Sequence, residues 1–328
     1  GRGVDLNNDV IAASGTVSMT GQHNTGATYA LSLSGSTSIT AGTGVTLESL
    51  NNNTGTIALL SSGGINGGSG TVLMRAANYA FGGADRTITT TGVLTIQPDA
   101  DENSFASSFD NQYLNPVSVT GLTLGKSSNA SAITLSRAIS LSGPVSIYGG
   151  SIDVNANITA NSGNILLDAD TGSTLNQSST GILLDDVITI ETVTSGNLTL
   201  IGRSGDTGSG FDGIDASSAN TTTLRSAGNL TLQGYSYAAS GSGRGVDLNN
   251  DVIAASGTVS MSGQHNTGAT YAISLSGSTS ITAGTGVTLE SLNDNTGTIA
   301  LLSSGGIDGG SGTVLMRAAN YAFGGADR

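Results

Sequence analysis

The sequence predicts an all-β protein, a right-handed parallel β-helix, on three observations. Short apolar triplets recur at nearly constant distance, turn-forming residues separate them, and no segment has the 3.6-residue apolar period of a capped helix. The pattern is sharpest from Ile133 to Leu167. There Ile133 and Leu135, Ile139 and Leu141, Val145 and Ile147, Ile152 and Val154, then Ile158, then Ile165 and Leu167 open a new triplet every six or seven residues. Ser142 to Pro144, Gly149 to Ser151, Asn155 to Asn157 and Asn161 to Asn164 supply corners between them. Strands this short cannot each cross a sandwich, but each can form one side of a coil that stacks in parallel on the next. Alternation then puts the named triplet residues inside and Thr134, Ser140, Ser146 and Asp153 outside.

Taken from the start of the chain, residues 1 to 86 carry strand signals at Val4 to Leu6, Val17 to Met19, Leu31 to Leu33, Val45 to Leu47, Ile57 to Leu59 and Val72 to Met74. Their looser spacing of 12 to 15 residues predicts larger coils, with extra loop at corners such as Gly21 to Gly26 and Asn51 to Gly55. Pro98 to Pro116 then interrupts the rhythm. It concentrates Asp99, Asp101, Glu102 and Asp110 with Phe105, Phe109 and Tyr113, and is expected to leave the solenoid as a loop. These seven residues are the candidate contact surface, because exposed aromatics beside charge are typical of interfaces. The alternative is that the rings fold back against the β-helix as a satellite cluster. Gly202 to Thr222 is a second excursion, a loop or a short irregular coil, containing Arg203, Asp206, Phe211, Asp212 and Asp215.

The chain also repeats itself. Gly1 to Arg86 returns as Gly243 to Arg328 at an offset of 242 residues, with four exchanges: Thr20 to Ser262, Leu31 to Ile273, Asn52 to Asp294 and Asn66 to Asp308. Residues 1–328 therefore read as a single β-solenoid. Residues 1–242 form one full tandem unit (1–86 the repeated segment, 87–242 the rest), and 243–328 start the next. At 20 to 28 residues per coil a unit predicts roughly 9 to 12 coils, each advancing the rod by about 4.8 Å. The sequence is expected to be a window cut from a longer array, in which open coil edges are covered by more chain or by another copy.

Composition agrees with that architecture. Fifty Gly, three Pro, five Phe and no Trp in 328 residues describe many tight corners around a narrow aliphatic core. The net charge of −13 and a single lysine, Lys126, leave no basic stripe for phosphate contacts, so nucleic acid is a poor partner. Cysteine is absent, which excludes a disulfide framework, and no apolar run approaches membrane-spanning length.

The run from Gly121 to Asp168, with Gly-Leu-Thr-Leu-Gly-Lys at Gly121 to Lys126 and Gly-Pro-Val-Ser-Ile-Tyr-Gly-Gly at Gly143 to Gly150, resembles giant bacterial β-strand-repeat exoproteins of the filamentous-haemagglutinin type. Ser195 to Leu200 and Gly228 to Leu232 have the same character. The resemblance implies a secreted, extracellular or cell-surface β-helix, an adhesin or structural filament. Its implied partners are further copies of itself, end to end and laterally, and glycans or host surfaces.

No motif for catalysis stands out. His23 and His265 lie in a Gly-Gln-His-Asn-Thr-Gly corner with no other His or Cys to complete a metal set, and read as solvated turn residues. Polysaccharide-active enzymes also use β-helices, and Asp168 with Asp170, Asp185 with Asp186, and Asp212 with Asp215 are paired carboxylates. None has a cationic partner nearby in sequence, and only Phe211 offers an aromatic platform, so an enzyme is not expected. Calcium is the one conceivable cofactor, at Asp99 to Glu102 or Asp206 to Asp215, but the nonapeptide calcium-roll signature does not recur and solvated acidic loops are the preferred reading. Thr87 to Thr91 and Thr221 to Thr223 occur singly rather than as an ice-binding array, and read as outward strand residues.

Overall fold

Every chain segment with an alternating apolar triplet becomes one side of a coil, because a single strand cannot bury its apolar face alone but can when its neighbours stack above and below. The computed structural model describes the chain except residues 25–27, 52–53, 61–62, 84, 100–101, 170–178, 185, 208, 219, 267, 270, 294–295 and 325–328. Asp101, Asp170, Asp185 and the Asn52/Asp294 exchange therefore lie outside the described residues.

Among the described residues there are 37 strands and no helix, and each strand pairs in parallel with the third one after it except Asn78–Phe81, Leu114–Val117 and the last three, so three strands make a coil. One face is an unbroken sheet of twelve strands from Val17–Gly21 to Val314–Arg317. Another divides into sheets of four strands, starting at Val4–Asn7, and nine, starting at Phe109–Asp110. The third divides into five, starting at Val10–Ala13, and seven, starting at Ile139–Leu141. Inward residues of all three faces merge into one hydrophobic core that runs the length of the chain. The protein is a parallel β-helix.

The predicted alternation holds in the central coils. Ile133, Leu135, Ile139, Leu141, Val145, Ile147, Ile152, Val154, Ile165 and Leu167 are all buried, whereas Thr134, Ser146 and Asp153 are half-buried and Ser140 is exposed. Along the twelve-strand face coil length varies from 20 residues, between the paired Val145 and Ile165, to 33, between Ile165 and Leu198. The long coils hold their loops at narrow stems. Gly202, Gly234 and Gly263 stack in register, and a Cβ on any of them would lie within 2.0 Å of the carbonyl oxygen of Gly213, Gly245 or Ala272 at the returning stem. Only glycine permits that approach.

In residues 1 to 86 the coils are larger than the central ones, as expected, 28 residues from Val17 to Val45 and 27 from Val45 to Val72, and they hold a third strand between the apolar triplets. The third face contributes Val10–Ala13, Ser38–Ala41 and Ile65–Asn66, strands whose inward positions combine one Ile with a small residue, as Ile39 with Ala41. A search for apolar triplets passes over them. Counting both kinds, nine ladder steps carry Val17 to its copy Val259: Val45, Val72, Leu94, Leu122, Val145, Ile165, Leu198, Leu230, then Val259. A 242-residue unit is nine coils, an axial rise of about 43 Å at about 4.8 Å each.

The two copies fold alike. Val17, Val45 and Val72 pair as Val259, Val287 and Val314 do, and the left-handed residues recur at Asn8 and Asn250, Gly35 and Gly277, Gly68 and Gly310. The exchanges preserve the geometry. Leu31 and Ile273 are both fully buried, and the Asn66 and Asp308 side chains accept the same turn bond from Gly68 N and Gly310 N, each about 2.9 Å or shorter.

Candidate functional site

The described residues of the Pro98 to Pro116 segment do not project as a loop, which corrects that expectation; its Phe rings fold back against the β-helix, the alternative reading. The segment supplies two strands, Phe109–Asp110 and Leu114–Val117, which pair with Ile133–Leu135 and Arg86–Thr89. Phe105 and Phe109 are buried and stack on each other with ring centroids 5.5 Å apart. Tyr79 packs edge-on against both, at 5.9 and 5.7 Å, and Phe81 packs edge-on against Phe109 at 6.0 Å. The cluster fills a seam: Asn78–Phe81 pairs only backward, to Thr56–Leu59, and Phe109–Asp110 pairs only forward, so rings replace a ladder between them. Burial holds the Tyr79 phenol well above its ordinary pKa while its hydroxyl donates to Gln97 O at 2.8 Å.

Of the other residues named there, Asp99 is buried, Glu102 and Tyr113 are half-buried, and Asp110 is exposed. The segment thus divides into a packed inner half and an outer rim. Asn78, Asp110, Gln112 and Tyr113 join the rings around a shallow cleft of about 210 Å³.

The carboxylate pairs acquire cations that their sequence neighbourhood does not contain. Asp168 bonds Arg203 at 2.9 Å, one coil further on, and Arg203 lies over the Tyr235 ring. Burial raises the Asp168 pKa, and the Arg203 bond opposes that rise. Asp212, within the Gly202 to Thr222 excursion, accepts the Arg244 backbone N–H, and the Arg244 guanidinium pairs with Asp247. Asp212, Asp215 and Asp247 each bring one carboxylate oxygen to within 4.8 Å of the others. Asp215 and Asp247 are ladder partners on adjacent coils. Burial raises the pKa of Asp212 to about 7, Arg244 N opposing, and burial likewise raises that of Asp247. Asp247 was missed from sequence because its partners lie 32 and 35 residues earlier; a coil period of 32 would have found it.

His265 is buried, not a solvated turn residue; Asn293 clamps its backbone from the next coil through bonds of 2.8 and 2.9 Å. Its copy His23 is half-buried under the same clamp from Asn51.

Asp251, fully buried on the third face, accepts Thr222 N at 2.9 Å and Asn249 N at 2.8 Å. Burial first, with Asp247 and Asp215 adding repulsion, lifts its pKa to about 7 against those two bonds. Unfolded, it would titrate near 3.9, so between about pH 4 and 7 the native chain holds a proton that the unfolded chain has lost. The stability that this proton confers is present at about pH 4 and falls as pH rises towards 7, by about 4 kcal/mol at most. Denaturant unfolding at pH 5 and pH 8 should therefore show greater stability at pH 5, and Asp251→Asn should shrink the difference; an unchanged difference in the variant would assign the pH dependence elsewhere.

No family model, curated protein or solved structure matches the chain. Among the described residues no helix is long and apolar enough to cross a membrane.

Proposed function

We propose that the protein is a non-catalytic structural element of an extracellular or cell-surface fibre, built by stacking 242-residue β-helical units end to end. The observation that carries this reading is the junction between units. Leu230–Tyr235, near the end of one unit, pairs over six consecutive residues with Thr258–Gln264 of the next, from Leu230 with Val259 to Tyr235 with Gln264. The other two faces are also continuous there, Ile214 with Val246 and Leu224 with Ile253. A unit therefore follows its predecessor with the same register, core and hydrogen bonds that join coils within a unit. Such stacking makes stability a sum of neighbour terms and lets length grow without a new interface.

Within the chain each coil covers its predecessor: Tyr79 and Phe81 pack edge-on against the Phe105 and Phe109 rings that follow them. Lateral and end-to-end copies of the same chain are the proposed partners, and the secreted, adhesin-like character follows the resemblance to filamentous-haemagglutinin-type exoproteins. The acidic cluster does not favour an enzyme, since Asp212 and Asp247 are buried rather than set across a sugar-wide groove. A second reading, a glycan- or receptor-binding module, draws on the cleft beside Asp110 and Tyr113.

Chains carrying one, two and three complete units should lengthen by about 43 Å per unit in small-angle scattering, the rise of nine coils. Particles that gain mass without gaining length in that step would sink the fibre reading. Glycan-array binding lost in Asp110→Ala, with fibre length unchanged, would move the assignment to the binding module.

A further inference from the structure

Three carboxylates meet where one unit passes into the next. Asp215 and Asp247 occupy the same outward column of one face on adjacent coils, about 4.8 Å apart along the rod. Asp212 is fixed beside them because its carboxylate accepts the Arg244 backbone N–H and its own carbonyl accepts Gly181 N at 3.0 Å. Like charges directly opposite in a sheet are destabilising, so this column calls for a counter-charge.

Arg244 supplies part of it. Its guanidinium pairs with one oxygen of Asp247 and lies 5.8 Å from the Tyr271 ring centroid. With all three carboxyls ionised, one guanidinium leaves an excess of two negative charges. A second observation is independent of that count: Asp247 is 97% buried by its 3% exposure, and its Oδ1 has no hydrogen-bond partner. The Ser274 hydroxyl on the next coil favours the ionised form of Asp247 without closing a bond of good geometry to that oxygen. A buried carboxylate oxygen without a donor is costly unless something else binds it.

We infer that Asp212, Asp215 and Asp247 form a binding site for one divalent cation of the calcium class, which clips the last coils of a 242-residue unit to the first coil of the next. Oxygens within 4.8 Å of one another can surround a cation held at about 2.3–2.6 Å, water completing the shell of six to eight. The donors are all hard oxygen, with no His or Cys to favour zinc. One divalent charge cancels the excess, and the cation supplies the partner that Asp247 Oδ1 lacks.

The site belongs to the junction and not to either unit alone. Asp212 and Asp215 end one unit and Asp247 begins the next. The copy of Asp247 is Asp5, on the first coil, where it pairs with Arg2 and its side chain is 47% exposed, against 4% for Asp247. The site in this chain stands on its own geometry; its recurrence at every junction of a fibre rests on the tandem reading above.

Calcium titration of the chelator-stripped 328-residue chain, followed by calorimetry and checked with terbium luminescence, tests the assignment. We expect one saturable equivalent per chain and a higher melting temperature with calcium than with chelator. Asp215→Asn and Asp212→Asn should each weaken binding by at least about 10-fold, since even groups behind a metal's direct ligands contribute that much. Asp5→Asn should leave affinity and stoichiometry unchanged, which separates this site from the general attraction of an acidic surface. Asp215 is only half-buried, so its variant remains informative if Asp212→Asn fails to fold. No saturable binding, or binding indifferent to Asp215→Asn, overturns the proposal. Absence of binding with Asp215→Asn leaving the melting temperature unchanged would show that Arg244 alone neutralises the cluster, and would overturn the proposal as well.

Discussion

Replacing Ile147 with Asp is expected to abolish cooperative folding of the central coils. Ile147 has no exposed surface and stands in a column between Leu124 and Leu167, also fully buried, on the one face that runs unbroken through the chain. Losing a buried Ile to a small side chain costs about 2–5 kcal/mol, and a carboxyl without a partner in an apolar core adds to that or forces the group to protonate. The sum is comparable to the whole stability of an ordinary domain, about 5–15 kcal/mol. In a solenoid the loss falls on two interfaces, so hydrogen exchange should accelerate first between the coils of Leu124 and Leu167. Ile147→Val, a loss of about 0.5–1.5 kcal/mol, is the control for shape. Circular dichroism melts within two degrees of wild type for the Asp variant, on the order of less than 1 kcal/mol, would place Ile147 outside the core.

How much of this was legible in the sequence depends on what each residue needed as a partner. The triplets declare themselves because Ile133 with Leu135, or Val145 with Ile147, alternate within three residues. Third-face strands such as Ser38–Ala41 do not, since Ala41 is too small to register as an apolar repeat although it is buried. Every contact between coils was harder. Arg203 reaches Asp168 across 35 residues and Arg137 reaches Asp85 across 52, two coils rather than one. Coil length, which varies between 20 and 33 residues along the twelve-strand face alone, has to be known before such partners can be matched. The acidic cluster was half visible for that reason: Asp212 and Asp215 are sequence neighbours, whereas Asp247 joins them only through the register of Ile214 with Val246.

Composition alone also could not decide between exposed and buried roles for the aromatic segment. Phe105 and Phe109 look like contact residues beside Asp99, Glu102 and Asp110, but the surface they cover belongs to Tyr79 and Phe81 on the previous coil. The second copy lets the uncovered condition be seen in the same molecule. Tyr321 and Phe323 stack on each other, 6.3 Å apart, and are left substantially exposed.

Phe109→Ala should accordingly destabilise the chain by about 3–5 kcal/mol, the range for a buried Phe truncated to Ala. Two losses combine. The ring's own buried area is given up, and the edge-on contacts to Tyr79 and Phe81, worth about 0.5–1.5 kcal/mol each, go with it. No ladder bond compensates, because Asn78–Phe81 and Phe109–Asp110 are not paired with each other. Unfolding should therefore begin at this seam, with exchange accelerating on both sides of it while the coils around Leu230 stay protected. Asp110→Ala, on the exposed rim, removes only bonds from Ser136 Oγ and Gln112 N and should cost less than about 1 kcal/mol. Measuring both variants by denaturant unfolding, together with fibre bundling, separates the roles that one segment could combine. Packing predicts a large loss of stability for Phe109→Ala alone, with bundling lost only as the fold is lost. If Phe109→Ala instead kept its stability and lost bundling, the ring would have to serve a neighbouring molecule rather than its own seam.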